Sequence, residues 1–184
     1  MKNMILDRKN TGLLVIDVQD RLFSLVERQC DVTHALELVI KGFKILDLPI
    51  VVTEQYPEKM GRTIEVLRTV LGEDYAPFSK RTFSCLGQEE LKKKIFDLPV
   101  DQWVLVGIEA HVCILQTAKE LMMAGKEVVV LNDAITSRSI YDYSTAIAEL
   151  RDCGGRISSV ETILFELLKD SRVSEFKEIS QLIK

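Results

Sequence analysis

The stretch from Gln102 to Ala124, QWVLVGIEAHVCILQTAKELMMA, constrains the chain more than any other. Trp103 to Ile108 is an apolar run rich in β-branched residues. It is too short to span a membrane and suits a buried strand. Beyond it, Val112, Leu115, Ala118, Leu121 and Met122 repeat at the spacing of one helix face. A buried strand therefore turns tightly into a helix, with Cys113 near the helix's first turn. Unpaired backbone N–H groups and the positive end of the helix dipole gather there. A thiol so placed is expected to have a lowered pKa, and the thiolate is the nucleophile. The competing reading makes Cys113 a small core residue, since free cysteine is among the most buried types.

The rest of the chain narrows the classes. At 184 residues it is long enough for one domain with a full core, so residues 1–184 are read as a single domain. With 28% charged residues and a net charge of −4 it lacks the basic stripe of a nucleic-acid binder. Lys92-Lys93-Lys94 reads as a solvated helix face. Cys30, Cys85, Cys113 and Cys153 lie far apart, and only His34 and His111 supply imidazole. Neither a metal site nor a disulfide framework is expected, and the thiols suit a reducing compartment. The opening MKNMILDRKNTG lacks the long apolar core of a signal peptide, and no stretch reaches membrane-spanning length. The expectation is a cytoplasmic protein without a membrane partner, an organelle being left open.

Taken in order, Thr11 to Val18 (TGLLVIDV) is a continuous apolar run closed by Asp17, as in a parallel strand covered on both faces. An acid there costs desolvation unless it is paired or faces a cleft. Its local alternative is a helix N-cap. A helix follows over 31–46, then a strand over 49–53 (PIVVT) and the loop Glu54-Gln55-Tyr56-Pro57. A short helix falls within 61–74. Residues 75–85 (YAPFSKRTFSC) carry a weak strand signal, and Lys80 sits between Phe78 and Phe83. A lysine among aromatics is commonly a snorkelling surface residue, unless an anion lies nearby. A charged helix over 87–96 precedes the opening strand and helix. A strand over 127–131 ends at Asn132-Asp133, and a helix runs to about Cys153 before Gly154-Gly155. A last strand over 156–160 and helices over 161–169 and 174–183 close the chain. Strands alternating with helices predict an α/β fold with three αβα layers, a mostly parallel sheet of about six strands. The site of such a fold lies beyond the carboxyl ends of its strands, where Asp17, Glu54, Lys80 and the 109–113 turn would meet.

Asp17, Lys80 and Cys113, with LLVIDVQ, VGIEAHVCILQTA and VVVLNDAITSRS around them, resemble the isochorismatase-like cysteine hydrolases over nearly the whole chain. That superfamily includes nicotinamidases, N-carbamoylsarcosine amidohydrolase and ureidoacrylate amidohydrolase. GIEAHVC, DAITSRS and the ending FKEISQLIK resemble most the branch of isochorismatase domain-containing proteins. The resemblance implies Cys113 as nucleophile, Asp17 as its proton acceptor and Lys80 as stabiliser of the charged pair. It implies a cis peptide at Ile108–Glu109, with backbone N–H groups of Glu109 and Cys113 forming an oxyanion hole. It also implies a homo-oligomer, with the closing helices and the 135–143 segment as contacts.

The departures are informative. EQYPEKMGRT has no histidine where nicotinamidases place an Asp-x-His metal site, so no metal and no cofactor is expected. Ala110 and His111 stand where many relatives have Thr-Asp. Retention of Cys113 favours acyl transfer over vinyl-ether hydrolysis. The leading expectation is a metal-independent cysteine hydrolase of a small amide or related acyl compound. Gln19, Gln55, Tyr56, Phe83, Glu109 and His111 are candidates to line its pocket. Locally, Gln19 and Gln55 would instead be loop hydrogen bonders, and Tyr56 and Phe83 core or interface residues. A Glu109 carboxylate beside an oxyanion hole would favour a neutral or cationic substrate. Cys85 is the rival reactive thiol. The alternatives are an oligomeric binding or scaffold protein with little activity, and an isochorismate-type vinyl-ether hydrolase.

Overall fold

The two central strands read as apolar runs because both of their faces are covered. A computed structural model describes residues 5–184; of the opening segment read for a signal peptide, residues 1–4 lie outside the described residues. Strand β1 (Thr11–Ile16) is followed by a one-turn helix α1 (Asp20–Phe23) and the long α2 (Gln29–Ile45). Then come β2 (Ile50–Gln55), the short helices α3 (Pro57–Met60) and α4 (Glu65–Leu71), and β3 (Phe78–Lys80). Helix α5 (Glu89–Asp97) leads into β4 (Gln102–Ile108), a π-helical turn over Ala110–Ile114 and α6 (Leu115–Met123). The chain ends with β5 (Glu127–Thr136), α7 (Ile140–Asp152), β6 (Arg156–Ser158), α8 (Val160–Leu168) and α9 (Phe176–Leu182).

All strands pair in parallel, in the order β3-β2-β1-β4-β5-β6. Alternate residues of β1 go to opposite faces, as the two-residue period of a strand requires. Leu13 and Val15 join Leu36, Phe43 and Leu164 of α2 and α8. Leu14 and Ile16 join Leu91, Ile114 and Leu121 of α5, the turn and α6. Sealing both faces buries such side chains completely, each contributing about 1.5–3 kcal/mol. The three-layer α/β architecture is the one the alternating pattern predicts.

Strand order reverses between β1 and β4, which run side by side from Thr11↔Gln102 to Ile16↔Gly107. A Cβ on Gly107, whose φ is 114°, would lie 2.1 Å from the Ile16 carbonyl oxygen. Glycine there lets the two strand ends meet, and the crevice they open is where α/β sheets bind ligands.

Four expectations change, the first being that β2 runs on to Gln55 and takes in Glu54 and Gln55, which the sequence puts in a loop. Strand β5 does not stop at 131 but continues to Thr136 through a register shift opposite 105–107. Asn132 and Asp133 sit in this irregularity, where the Asn132 side chain is exposed and the Asp133 carboxylate accepts from the Val160 N–H at the start of α8. Asp17 is not a helix cap; Gln19 occupies that position before α1. Lys80 does not snorkel but is buried. Lys92, Lys93 and Lys94 are exposed on α5. Among the described residues no helix is long and apolar enough to cross a membrane.

Candidate active site

Asp17, Lys80 and Cys113 come from the carboxyl ends of β1, β3 and β4, which the sheet order brings to one side of the crevice. Asp17 leaves β1 in the left-handed region, φ 53°, a conformation that Asp tolerates better than most residues. One of its carboxylate oxygens accepts from Thr53 Oγ1 at 2.7 Å, and the other from Lys80 Nζ at 2.6 Å. Both side chains of this ion pair are fully shielded from solvent.

The Lys80 ammonium also donates to Gln55 Oε1 at 2.8 Å and to the carbonyls of Phe83 at 3.0 Å and Thr82 at 3.2 Å. Cys113 Sγ lies 3.6 Å from it. Burial opposes the charge on Lys80, but the Asp17 carboxylate beside it outweighs burial, holding the proton more tightly than an ordinary lysine. A buried ammonium with this many acceptors is positioned as well as charged.

Cys113 lies in the π-helical turn ahead of α6, and the Ile108–Glu109 peptide preceding that turn is cis. The lowered thiol pKa expected from the helix terminus is not found. Burial, then the charge of Asp17, push the Cys113 thiol up; Lys80 pulls the other way and does not prevail. Desolvation and a like charge outweigh partial charges of a helix end. The resting arrangement is a neutral thiol beside a carboxylate. Cys113 is 6% exposed, whereas Asp17 and Lys80 lie beneath it.

The other candidates divide. Gln55 touches the site through Lys80, and its Nε2 donates to the Arg81 carbonyl. Gln19 is buried and spent on structure: Nε2 donates to the carbonyls of Gln55 and Gly61, and Oε1 accepts from the Gln55 N–H. Tyr56 stacks beneath Arg81, whose guanidinium carbon is 3.7 Å from the ring centroid. Phe83 offers its carbonyl to Lys80 and leaves its side chain 54% exposed. His111 Nδ1 is 3.0 Å from Ser137 Oγ. Glu109 Oε1 accepts from Arg138 Nε at 2.9 Å, so the expected repulsion of anionic substrates loses its basis. Glu54 is buried, accepting from Thr63 and Tyr75.

Cys85, the rival thiol, is buried in a short 3₁₀ turn, and burial pushes it up to about 12. Cys30 and Cys153 are exposed, and all four thiols are free. Among the described residues, no three His, Cys, Asp or Glu side chains cluster as metal ligands would. Thr53, Ser137 and Arg138 escaped the sequence reading. Thr53 was visible as the polar end of an apolar run; Ser137 and Arg138 were hidden by ending β5 too early.

The isochorismatase domain model matches residues 11–162. The secreted isochorismatase effector Isc1 of Phytophthora sojae is 37% identical over 175 residues, 94% of this chain and 83% of that protein. Isochorismatase domain-containing protein 1 of Danio rerio is 36% identical over 169 residues, 91% of this chain, which spans 59% of the zebrafish protein. Among solved structures, the MAR1 ribonuclease of Caenorhabditis elegans matches with a TM-score of 0.91 at 32% identity, over 97% of this chain and 92% of the other.

Proposed function

The chain belongs to the isochorismatase domain family, and from that premise we propose that it is a cysteine hydrolase of small amides or related acyl compounds, working through a Cys113 thioester. One observation carries the reading: a single buried ammonium, Lys80, lies between the Asp17 carboxylate and the Cys113 sulfur at the crevice between β1 and β4. Because Cys113 rests as a thiol, Asp17 acts as general base when the substrate carbonyl arrives. The S–H proton moves to Asp17 as the S–C bond forms. Backbone N–H groups of Glu109 and Cys113 receive the developing oxyanion; one such donor is worth roughly a hundredfold or more in rate. The tetrahedral species collapses, its C–N bond breaks, and Asp17 returns the proton to the departing amine. Water then attacks the thioester with Asp17 again taking a proton, and the sulfur leaves to recover it. Lys80 balances the negative charge throughout and holds Asp17 in place.

The test is acyl transfer from p-nitrophenyl acetate, followed by intact and peptide mass spectrometry. The reading expects one acetyl group per chain on Cys113, absent in Cys113→Ala and slowed in Asp17→Asn. Acetylation spread over lysines, unaffected by Cys113→Ala, would overturn it and bring the scaffold reading forward. The likeness to the MAR1 ribonuclease supports a second reading, RNA cleavage. A net charge of −4 offers little for a phosphate backbone. Cleavage of single-stranded RNA by both native protein and Cys113→Ala would favour it.

We read the chain also as self-associating. Ile140 and Tyr141, 52% and 81% exposed on the first turn of α7, fall in the segment expected to form contacts. Light scattering on the native protein and on Tyr141→Glu checks this: a smaller species for the variant is the expected result.

A further inference from the structure

Two adjacent residues after β5 grip two alternate residues of the turn that carries Cys113. Arg138 Nε donates to Glu109 Oε1 at 2.9 Å, and Ser137 Oγ is 3.0 Å from His111 Nδ1. The inside of the turn is tied by its own backbone, since the N–H groups of Val112 and Ile114 both donate to the Glu109 carbonyl. The outside has these two side-chain contacts together with two longer ones, from the Arg138 N–H to Glu109 Oε1 at 3.4 Å and between His111 Nε2 and Asp142 Oδ2 of α7 at 3.9 Å. The post they hang from is itself fixed. Glu27 N–H donates to the Ser137 carbonyl, Thr136 Oγ1 donates to the Glu27 carbonyl, and Arg28 Nη2 donates to the Ile135 carbonyl. Ser137 is buried.

We propose that Ser137 and Arg138 form a clamp that sets the backbone of the 109–113 turn for oxyanion binding, with Arg138 a positioning residue acting through Glu109. The inference rests on the hydrolase reading above. Its physical basis is an asymmetry. Arg138 is 58% exposed on its side chain and Glu109 14%. An ion pair with so exposed a partner contributes little to stability. The same pair fixes the first residue of the turn, and a small misplacement of a catalytic donor can cost about a hundredfold in rate. The clamp therefore matters for rate and hardly at all for folding, a split that a purely structural contact would not produce.

The experiment compares two reactions of one sulfur. Acylation by p-nitrophenyl acetate forms the S–C bond through a tetrahedral oxyanion, releases p-nitrophenolate and passes the thiol proton to Asp17. Alkylation by iodoacetamide displaces iodide without an oxyanion and reports only on access and proton removal. Both rates are measured at Cys113 by mass spectrometry in the full-length native protein, Arg138→Ala, Arg138→Lys and Ser137→Ala, with thermal melts of each. The clamp expects the acylation-to-alkylation ratio to fall about tenfold or more in Arg138→Ala and Ser137→Ala, with alkylation changing less than about threefold. Arg138→Lys, which keeps the cation but not the Nε contact, falls between. The melting temperature of Arg138→Ala stays within about 2 °C of the native value. A ratio unchanged in Arg138→Ala, or both rates falling together, overturns the clamp and leaves the hydrolase reading standing. Native Cys113 that alkylates but never acylates overturns both.

Discussion

Cys113 and Cys85 share a neighbourhood and little else. Both are buried on the same face of the sheet, and both have Lys80 and Asp17 among the charges that act on them. Burial pushes both thiols up, so proton affinity does not tell the proposed nucleophile from the core residue. The order of the charges does: after burial, Asp17 acts most strongly on Cys113 and Lys80 on Cys85. Access separates them too. Cys113 is 6% exposed, while Cys85 is sealed, its own backbone N–H donating to Thr117 Oγ1. On the reading proposed above a thiol needs a charged pair beside it and a route for the carbonyl, and of these two only Cys113 has any exposure.

The largest break in the comparison comes from deleting each sulfur in turn. Cys113→Ala should lower acylation by p-nitrophenyl acetate to the uncatalysed background, about a thousandfold or more, because covalent chemistry ends with the nucleophile. Cys85→Ala should stay within about fivefold of native. Equal losses would mean that the two thiols act as a unit. Next in size is the ammonium they share. Lys80→Met leaves the Asp17 carboxylate buried without its cation, and losing one partner of such a pair costs about 3–5 kcal/mol. Asp17→Asn combined with Lys80→Met should recover much of that. Urea unfolding of the native protein and these two variants measures it, and a double variant no better than Lys80→Met alone would show that the lysine's packing, not its charge, holds the site.

How far the sequence could carry this follows from the same contrasts. Strands β1 and β4, and β2 as far as Thr53, were legible because a strand covered on both faces reads as an apolar run. β5 was read short because polar residues in a bulge resemble an ending, and only the exposure of Asn132 and the partner of Asp133 reveal why polarity is tolerated there. Lys80 gave no local sign of burial. It entered through its resemblance to a family, since its counter-ion lies 63 residues away. The thiol pKa went astray for a related reason: the helix-terminus rule is local, whereas desolvation and the Asp17 charge belong to the tertiary structure. Ser137 and Arg138, 26 and 29 residues from the turn they hold, lay beyond any local pattern.

The smallest expected effect concerns alkaline pH. A buried thiol whose folded pKa is raised stays neutral while the unfolded chain ionises. Its contribution to stability is therefore complete below the unfolded pKa, near 9, and is lost as pH rises towards the folded value, about 12 for Cys85. Cys113 and Lys80, both shifted upwards, act in the same direction, the lysine only above its ordinary range. The protein should accordingly lose stability between pH 9 and 10.5, with Cys85 contributing up to about 2 kcal/mol of the loss at 1.36 kcal/mol per unit. Cys85→Ala starts lower because of the small cavity, yet removes that share, so its stability should fall less steeply with pH than the native protein's. Urea unfolding under reducing conditions at pH 8, 9, 10 and 10.5 compares the slopes. Parallel slopes would mean that Cys85 ionises in the folded protein as readily as in the unfolded one. The seal that separates it from Cys113 would then be open.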